Sequence, residues 1–164
     1  MNDVKISRVA LEASTRDRPH LGVLLQRARR ALDEEVSQRI AAAGFDSIRP
    51  GHGAVFTFLP LDGARLTELA GRARMTKQAM GELVRELEQL GYVERARDAE
   101  DGRARIIRFT EMGRRADEVG ILAIRDIERE WAAAVGVRQM NALRSTLMSL
   151  LRSIDRRADR DGPS

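Results

Sequence analysis

Apolar residues recur every three or four positions over several long stretches, the spacing of a helix that buries one face. The first stretch covers residues 20–43 and is followed by Gly44. Its apolar positions are Leu21, Leu24, Leu25, Ala28, Leu32, Val36 and Ile40. Two further stretches, 110–134 and 138–157, are separated by Gly136, and residues 48–60 predict a loop followed by a short buried helix. The pattern predicts a mainly α-helical protein.

Residues 66–109 predict a helix, a tight turn, a second helix and two strands. Thr67 is the predicted cap of a helix over residues 68–73, and Thr76 of one that runs to Leu90 and ends at Gly91. The apolar stripe of the second helix is Met80, Leu83, Val84, Leu87 and Leu90. Its other side carries Gln78, Gly81, Glu82, Arg85 and Gln89, with Lys77 near the amino-terminal edge. Two capped helices joined by a tight turn form a helix-turn-helix.

Gly81 suggests what this other side does. Glycine inside a helix costs about 0.5–1 kcal/mol relative to alanine, and one reason to tolerate it is close approach by another surface. A nucleic acid backbone or base edge is such a surface. The alternative is an ordinary solvent-exposed face.

The residues that follow predict a basic β-hairpin. Residues 92–97 and 103–109 suit strands, and residues 98–102 between them have turn chemistry. Arginine is in excess over acid from residue 95 to residue 115: the arginines are 95, 97, 103, 105, 108, 114 and 115. Such a hairpin alone is often a charged edge that resists aggregation. Placed directly after a polar-faced helix, it favours a winged helix-turn-helix that contacts phosphates or a minor groove.

The stretches LTELAGRARMTKQAMGELVRELEQLGYVER and DAEDGRARIIRFTEMG resemble the MarR family of bacterial transcriptional regulators. The hairpin motif of that family corresponds here to Asp98, Asp101, Arg103, Phe109, Thr110 and Gly113. Three positions depart from it: Ala99 replaces a frequent proline, Gly102 stands where a second arginine is common, and Phe109 replaces leucine. The resemblance covers about residues 21–151. It implies a DNA-binding homodimer, more often a repressor, that a small aromatic or anionic effector releases from its operator.

The predicted organisation has five parts: an amino-terminal arm (1–19), a dimerisation helix with a connecting helix (20–60), the winged helix-turn-helix (61–113), carboxyl-terminal dimerisation helices (114–157) and a disordered tail (158–164). The terminal helices carry apolar stripes wider than one compact unit would use. Packing against a second copy would bury the excess; an intramolecular bundle is the alternative.

The candidate DNA contacts lie on the second helix and the hairpin. Thr76 and Lys77, near the helix amino terminus, are phosphate candidates, and Gln78 and Arg85 are base-edge candidates because glutamine suits adenine and arginine suits guanine. Gly81 would allow close approach. The hairpin candidates are Arg97, Arg103 and Arg105. By family resemblance, Arg103 either contacts DNA or pairs with Asp101 to stiffen the hairpin.

The family resemblance also implies an effector pocket between the dimer helices and the DNA-binding lobe. Its candidate residues are Leu24, Arg27, His52, Phe56 and Phe58. Arg27 would pair with an anionic effector. The two phenylalanines also suit a plain core.

Composition bounds the remaining possibilities. The net charge is +4, which permits polyanion binding, and aromatics make up only 4%, which disfavours stacking on single strands. The sequence contains no cysteine, only two histidines and no motif for nucleophilic or phosphate-loop catalysis, so we expect neither an enzyme nor a metal site or cofactor. With no long apolar run, a cytoplasmic location is expected. A winged helix used only as a protein-interaction module is the alternative function.

Overall fold

The computed structural model describes residues 19–97 and 105–160. The predicted amino-terminal arm, apart from Pro19, lies outside these residues. The predicted hairpin turn (98–102), Arg103 and the end of the predicted tail (161–164) also lie outside them.

The described residues are mainly helical, as predicted. The helices are α1 (Leu21–Ala42), α2 (Gly53–Phe58), α3 (Leu66–Arg72), α4 (Lys77–Gln89), α5 (Glu111–Val135) and α6 (Val137–Arg160). A 3-10 turn, Pro50–His52, leads directly into α2. Three strands, β1 (Ala64–Arg65), β2 (Val93–Arg97) and β3 (Arg105–Phe109), form an antiparallel sheet in the order β1-β3-β2. The predicted helices at 20–43, 110–134 and 138–157 are found within a few residues of their expected ends.

The chain divides into two compact units, residues 1–120 and 121–164, and α5 contributes to both. In the first unit the core is built around α4 and the sheet. Its fully buried side chains include Val55, Leu69, Met80, Val84, Leu87, Ile107 and Phe109. Three of the five predicted apolar positions of α4 therefore lie in this core, whereas Leu90, at its carboxyl end, is exposed.

Local backbone chemistry sets most helix ends. Thr76 caps α4, its Oγ1 accepting the Ala79 N–H at 3.1 Å. Gly44, Gly91 and Gly136 take positive φ angles of 93°, 80° and 100° where α1, α4 and α5 stop. Thr110 caps α5 by accepting the Gly113 N–H at 3.0 Å. These predictions are confirmed.

The predicted cap of the first helix of the helix-turn-helix is wrong. α3 begins at Leu66, so Thr67 lies inside it, and Arg65 is the cap residue. The Arg65 N–H donates to Glu68 Oε2 at 3.2 Å, a carboxylate reaching back to the residue before the helix.

The short strand β1 was not predicted from the sequence. Gly63 turns the chain into it with φ of 93°, and a Cβ at this position would lie 2.7 Å from the Ile107 carbonyl oxygen. Only glycine fits there, because the chain must run against β3. β1 pairs with β3 at Ala64–Ile107 and Arg65–Ile106, which joins the start of α3 to the hairpin.

Two long helices bury almost nothing in the single chain. None of the 22 residues of α1 is buried, and none of residues 137–157 of α6 is. In α5, Ala116, Ala123 and Ile127 are buried as predicted, but Leu122, expected on the same face, is 57% exposed.

Candidate nucleic-acid interface

One side of α4 presents polar and basic side chains to solvent. Thr76, Lys77, Gln78 and Arg85 are all exposed, and the side chain of Arg85 has no ion pair with any of the described residues. Gln78 Nε2 donates to Glu82 Oε1 at 3.3 Å, which orients the amide along the helix surface. An array of donors at the amino-terminal half of a helix suits an anionic partner, because the helix dipole adds to the side-chain charge.

Gly81 does not belong to this exposed side. It is buried in the structure, and a Cβ built there would lie 3.6 Å from Leu66 Cδ2 of α3. The prediction that Gly81 faces a nucleic acid is therefore wrong. Its place on the helix, about 100° per residue from its neighbours, puts it at the edge between the polar side and the core.

The hairpin formed by β2 and β3, the wing, places two arginines opposite each other. Arg97 and Arg105 are Cα partners in the antiparallel register, and both are exposed. Residues directly opposite in such a pair project to the same face, where like charges repel. This is also the face of Val93 and Phe109, which pack in the core with α4. The paired guanidiniums therefore favour an anion at the end of the wing.

The other arginines of the two strands are held by carboxylates. Arg95 Nε donates to Glu88 Oε2 of α4 at 3.1 Å, and Arg108 Nε donates to Glu94 Oε1 across the sheet at 2.7 Å. These ion pairs brace the wing against α4 and against itself. The sequence shows an excess of arginine, and the structure separates Arg95 and Arg108, which are paired with carboxylates, from Arg97 and Arg105. Arg103 lies outside the described residues.

The turn between α3 and α4 contains a residue that sequence reasoning missed. Arg74 is exposed and has φ of +52°, the only positive φ of a non-glycine residue in the described part of the chain. It follows the last turn of α3, a position that usually takes glycine. Its N–H donates to the Gly71 carbonyl at 3.0 Å, and the Met75 N–H donates to Ala70 at 2.9 Å. The tight turn thus rests on hydrogen bonds rather than on residue preference.

Thr110 ties α4, the wing and α5 together. Its Oγ1 donates to the Gly91 carbonyl at 2.6 Å while accepting the Gly113 N–H. Gly113 itself packs against Tyr92: a Cβ there would lie 1.9 Å from the Tyr92 carbonyl oxygen. The Thr-x-x-Gly spacing in the sequence therefore marks a contact between the end of α4 and the start of α5.

The five candidate effector residues divide between the core and the surface. Leu24, Arg27 and Phe58 are exposed, whereas Phe56 is half-buried and its ring stacks on Phe109 at 5.4 Å between centroids. His52 is 1% exposed, and both ring nitrogens are hydrogen-bonded within the protein. These hydrogen bonds occupy both ring nitrogens of His52, and its place at the border of an effector pocket stays a prediction.

His52 forms a contact with the flank of α4 that the sequence did not reveal. Its Nε2 lies 3.0 Å from Glu86 Oε2, and Nδ1 accepts the Arg49 N–H at 3.2 Å. The hydrogen bond from His52 lowers the pKa of the Glu86 carboxyl below its ordinary value, as does the charge of Arg49, against the opposing effect of burial. The sequence around His52, which lies ten residues after the end of α1, gave no signal for this partner.

A three-stranded sheet with a short helix pair, whose second helix exposes a polar side beside an arginine-bearing hairpin, is a winged helix-turn-helix. Proteins of this class place the second helix in the major groove of DNA.

Comparison with known proteins narrows the class. Residues 60–104 match the family model described as MarR family. The transcriptional repressor CouR bound to a 23-mer DNA duplex shares the fold with a TM-score of 0.66 and 21% identity, over 92% of this chain and 99% of that one. CouR from Rhodococcus jostii RHA1 bound to p-coumaroyl-CoA has a TM-score of 0.63 and 24% identity, over 79% and 90%. A MarR family protein of Mycobacterium tuberculosis in complex with p-aminosalicylic acid has a TM-score of 0.59 and 26% identity, over 80% and 98%. A comparison with curated protein sequences gave no significant match.

The predicted resemblance is confirmed for this segment and for the fold: residues 60–104 match the MarR family model, and the described residues have the mainly helical winged helix-turn-helix fold of solved MarR family structures. The solved structures that share this fold include transcriptional regulators. Within the described residues, no helix has the length and apolar character needed to span a membrane. Nor do three or more potential metal ligands cluster anywhere in that part of the chain.

Proposed function

We propose that this chain is a homodimeric repressor that binds a palindromic operator in double-stranded DNA and releases it when a small aromatic or anionic effector binds. The observation that carries the proposal is the juxtaposition of the exposed side of α4 with the Arg97–Arg105 pair of the wing. The DNA-bound relative CouR has the same fold, which supports a duplex as the partner.

In this proposal α4 lies in the major groove. Thr76 and Lys77 contact phosphates at its amino-terminal end, while Gln78 and Arg85 reach base edges. The wing arginines Arg97 and Arg105, with Arg103 beyond the described residues, grip the neighbouring backbone or a narrow minor groove. Gly81 is left out of the contact set because it is buried against α3.

A second copy supplies the symmetry. The apolar residues of α1 and α6 that are exposed in the single chain include Leu21, Leu24, Leu25, Leu143, Leu150, Leu151 and Ile154. We propose that the dimer buries them. A two-fold dimer would present two α4 helices about 34–36 Å apart, which is one turn of DNA and fits an inverted repeat.

The effector part of the proposal is supported by relatives crystallised with p-coumaroyl-CoA and with p-aminosalicylic acid. In this chain the exposed candidates for such a molecule are Leu24, Phe58 and Arg27, the last as the partner of an acidic group, and the half-buried Phe56 is a further candidate. A cytoplasmic location follows from the same proposal, because the operator is chromosomal.

The alternative function, a winged helix that binds only proteins, differs in its response to salt. Phosphate contacts release condensed counterions, so the logarithm of DNA affinity falls linearly with the logarithm of salt concentration. A module that binds only proteins would show no duplex affinity that falls with salt concentration in this way.

The test is a selection of bound duplexes from a random pool by the full chain, followed by affinity measurements at several salt concentrations. We expect an inverted repeat with half-sites one helical turn apart, bound at least about a thousandfold more tightly than random duplex. Candidate aromatic acids are then screened for release of that duplex. A chain that binds no duplex at low salt would overturn the proposal.

A further inference from the structure

The flank of α4 opposite Gly81 is held by the 3-10 turn Pro50–His52. Leu83 and Glu86 lie on this flank, about 140–200° around the helix from Gly81. A Cβ at Gly51 would lie 3.8 Å from Leu83 Cδ2, and His52 Nε2 lies 3.0 Å from Glu86 Oε2. The polar side of α4 thus lies between two sides of the helix that contact the rest of the protein, one packed against α3 and the other against this turn.

The hydrogen-bonding pattern indicates which tautomer the neutral ring of His52 adopts. The Arg49 N–H donates to Nδ1, so Nδ1 is the acceptor and carries no proton in the neutral ring. Nε2 then carries the proton and donates to the Glu86 carboxylate. The ring is 1% exposed whereas the Glu86 side chain is 47% exposed, so a buried donor meets its acceptor at the edge of the core.

The turn that carries His52 is itself braced. The His52 N–H donates to the Arg49 carbonyl at 2.9 Å, which closes the turn. Just before it, Ser47 Oγ and Tyr92 OH are hydrogen-bonded at 2.9 Å, and the ring of Phe45 packs on that of Tyr92 at 6.2 Å. The segment between α1 and α2 is therefore attached to α4 at its middle, through Glu86, and just beyond its carboxyl end, through Tyr92.

We propose that His52 and Glu86 are positioning residues for operator recognition: the hydrogen bond between the buried ring and the Glu86 carboxylate sets the rotation of α4 about its axis, and with it the direction of Gln78 and Arg85. The proposal rests on the proposed function, because it concerns the same DNA contact. Glu86 itself does not touch DNA. It acts through the base-reading side chains on the neighbouring side of the helix.

The test compares two near-isosteric variants, Glu86→Gln and Glu86→Met. Both remove the charge and both are good helix formers, but only glutamine offers an oxygen to His52 Nε2–H. For the best duplex from the selection, we expect Glu86→Gln to keep wild-type affinity within about twofold, and Glu86→Met to lose about tenfold, the effect of one unmade hydrogen bond at a buried donor. Affinity for random duplex, which depends on phosphate contacts, should change less than about twofold in either variant.

A double variant separates positioning from stability. His52→Leu combined with Glu86→Met removes the donor as well as the acceptor of this bond, so the buried Nε2–H is no longer left without a partner. The N–H that Nδ1 accepts in the wild type belongs to Arg49, an exposed residue. We expect its melting temperature to recover towards wild type while its preference for the selected duplex stays low, because the directional link is still missing.

The possible results point in different directions. Glu86→Met with wild-type discrimination, or a double variant that regains discrimination together with stability, overturns the positioning role and leaves the proposed function intact. A wild-type chain that binds the selected duplex no better than random duplex overturns both.

Discussion

Arg85 and Lys77 are exposed on the same helix but at different distances from its amino-terminal end. Lys77 is the first residue of α4, and in the proposed complex it would contact phosphate, which carries no sequence information. Arg85 lies two turns further along, where in the proposed complex its guanidinium would reach base edges and discriminate by about 1–3 kcal/mol per bidentate contact. Alanine substitutions of the two residues should therefore change DNA affinity in different ways.

We predict that Arg85→Ala lowers the ratio of selected-duplex to random-duplex affinity about tenfold or more. Lys77→Ala should weaken both affinities alike and reduce the slope against salt by about one counterion. Arg125→Ala, an exposed arginine of α5 remote in sequence from the helix-turn-helix, is the charge-matched control. An unchanged ratio in Arg85→Ala would mean that this side chain does not read bases.

Asp117, half-buried on α5, gives a residue-scale prediction for pH. Burial, with a smaller contribution from the charge of Glu118, raises the pKa of its carboxyl above the ordinary value. The folded state therefore holds the proton more tightly than the unfolded state, and the ionised form is destabilising at neutral pH.

Asp117→Asn should raise the free energy of unfolding at pH 7 by up to about 0.5 kcal/mol. This gain should shrink as pH falls through the raised folded-state pKa and vanish once the carboxyl is protonated in both states. Denaturant titrations between pH 4 and pH 7 measure it, with the exposed Glu118→Gln as the comparison. A gain that stays constant over this range would contradict the assignment.

At the scale of elements, two glycines lie at contacts that differ in the space they leave for a side chain. Gly113 admits no side chain, because its Cβ would overlap the Tyr92 carbonyl at 1.9 Å. Gly81, although buried, has room for a methyl group at ordinary contact distance from Leu66. The junction of α4 with α5 is therefore rigidly specified, while the junction of α4 with α3 is not.

We predict that Gly113→Ala lowers the free energy of unfolding by about 3 kcal/mol, since backbone must move to accept the methyl group. Gly81→Ala should instead raise it by about 0.5–1 kcal/mol, the usual gain from replacing a glycine inside a helix. Affinity of Gly81→Ala for the selected duplex should stay within about twofold of wild type. A large loss of binding would restore the idea that Gly81 faces DNA.

The sequence predicted elements where local chemistry decides them. Thr76, Thr110, Gly91 and Gly136 act through their own backbone neighbours, so their effects can be read along the chain. The cap of α3 was misplaced because threonine is favoured at caps and arginine is not. Glu68, three residues after Arg65, was the available signal.

Contacts between elements could not be read in this way. Whether Gly81 faces solvent or α3 depends on where Leu66 lies, and the role of His52 depends on Glu86, 34 residues further on. The exposure of Thr76, Lys77, Gln78 and Arg85 on α4 was predictable because polarity alone separates these side chains from the core. The division of the wing arginines was not, because it requires the register that pairs Arg97 with Arg105 and Glu94 with Arg108.

At the scale of the whole molecule, the proposed dimer depends on apolar side chains that the single chain leaves in water. On α6, Leu143 and Leu151 are 52% and 57% exposed. Charges placed there would cost little in a monomer but would be buried without partners in a dimer.

We predict that Leu143→Glu combined with Leu151→Glu converts the dimer to a monomer and lowers affinity for the full inverted repeat at least about a hundredfold, while a half-site duplex is bound as before. Ser145→Glu, on the opposite side of α6, is the matched control. Light scattering gives the mass and fluorescence anisotropy the affinity. A double variant that remains dimeric would point to an interface elsewhere.

The lack of buried residues in α1 has a consequence for how the protein comes to be folded. In proteins most of the stability of a helix comes from packing of its apolar face rather than from the propensity of its residues. If that packing comes from a second copy, folding of α1 and association are one event, and newly made chains must find each other before they are complete. The melting temperature would then rise with protein concentration. The amount of the protein in the cell would also determine how long each copy survives proteolysis.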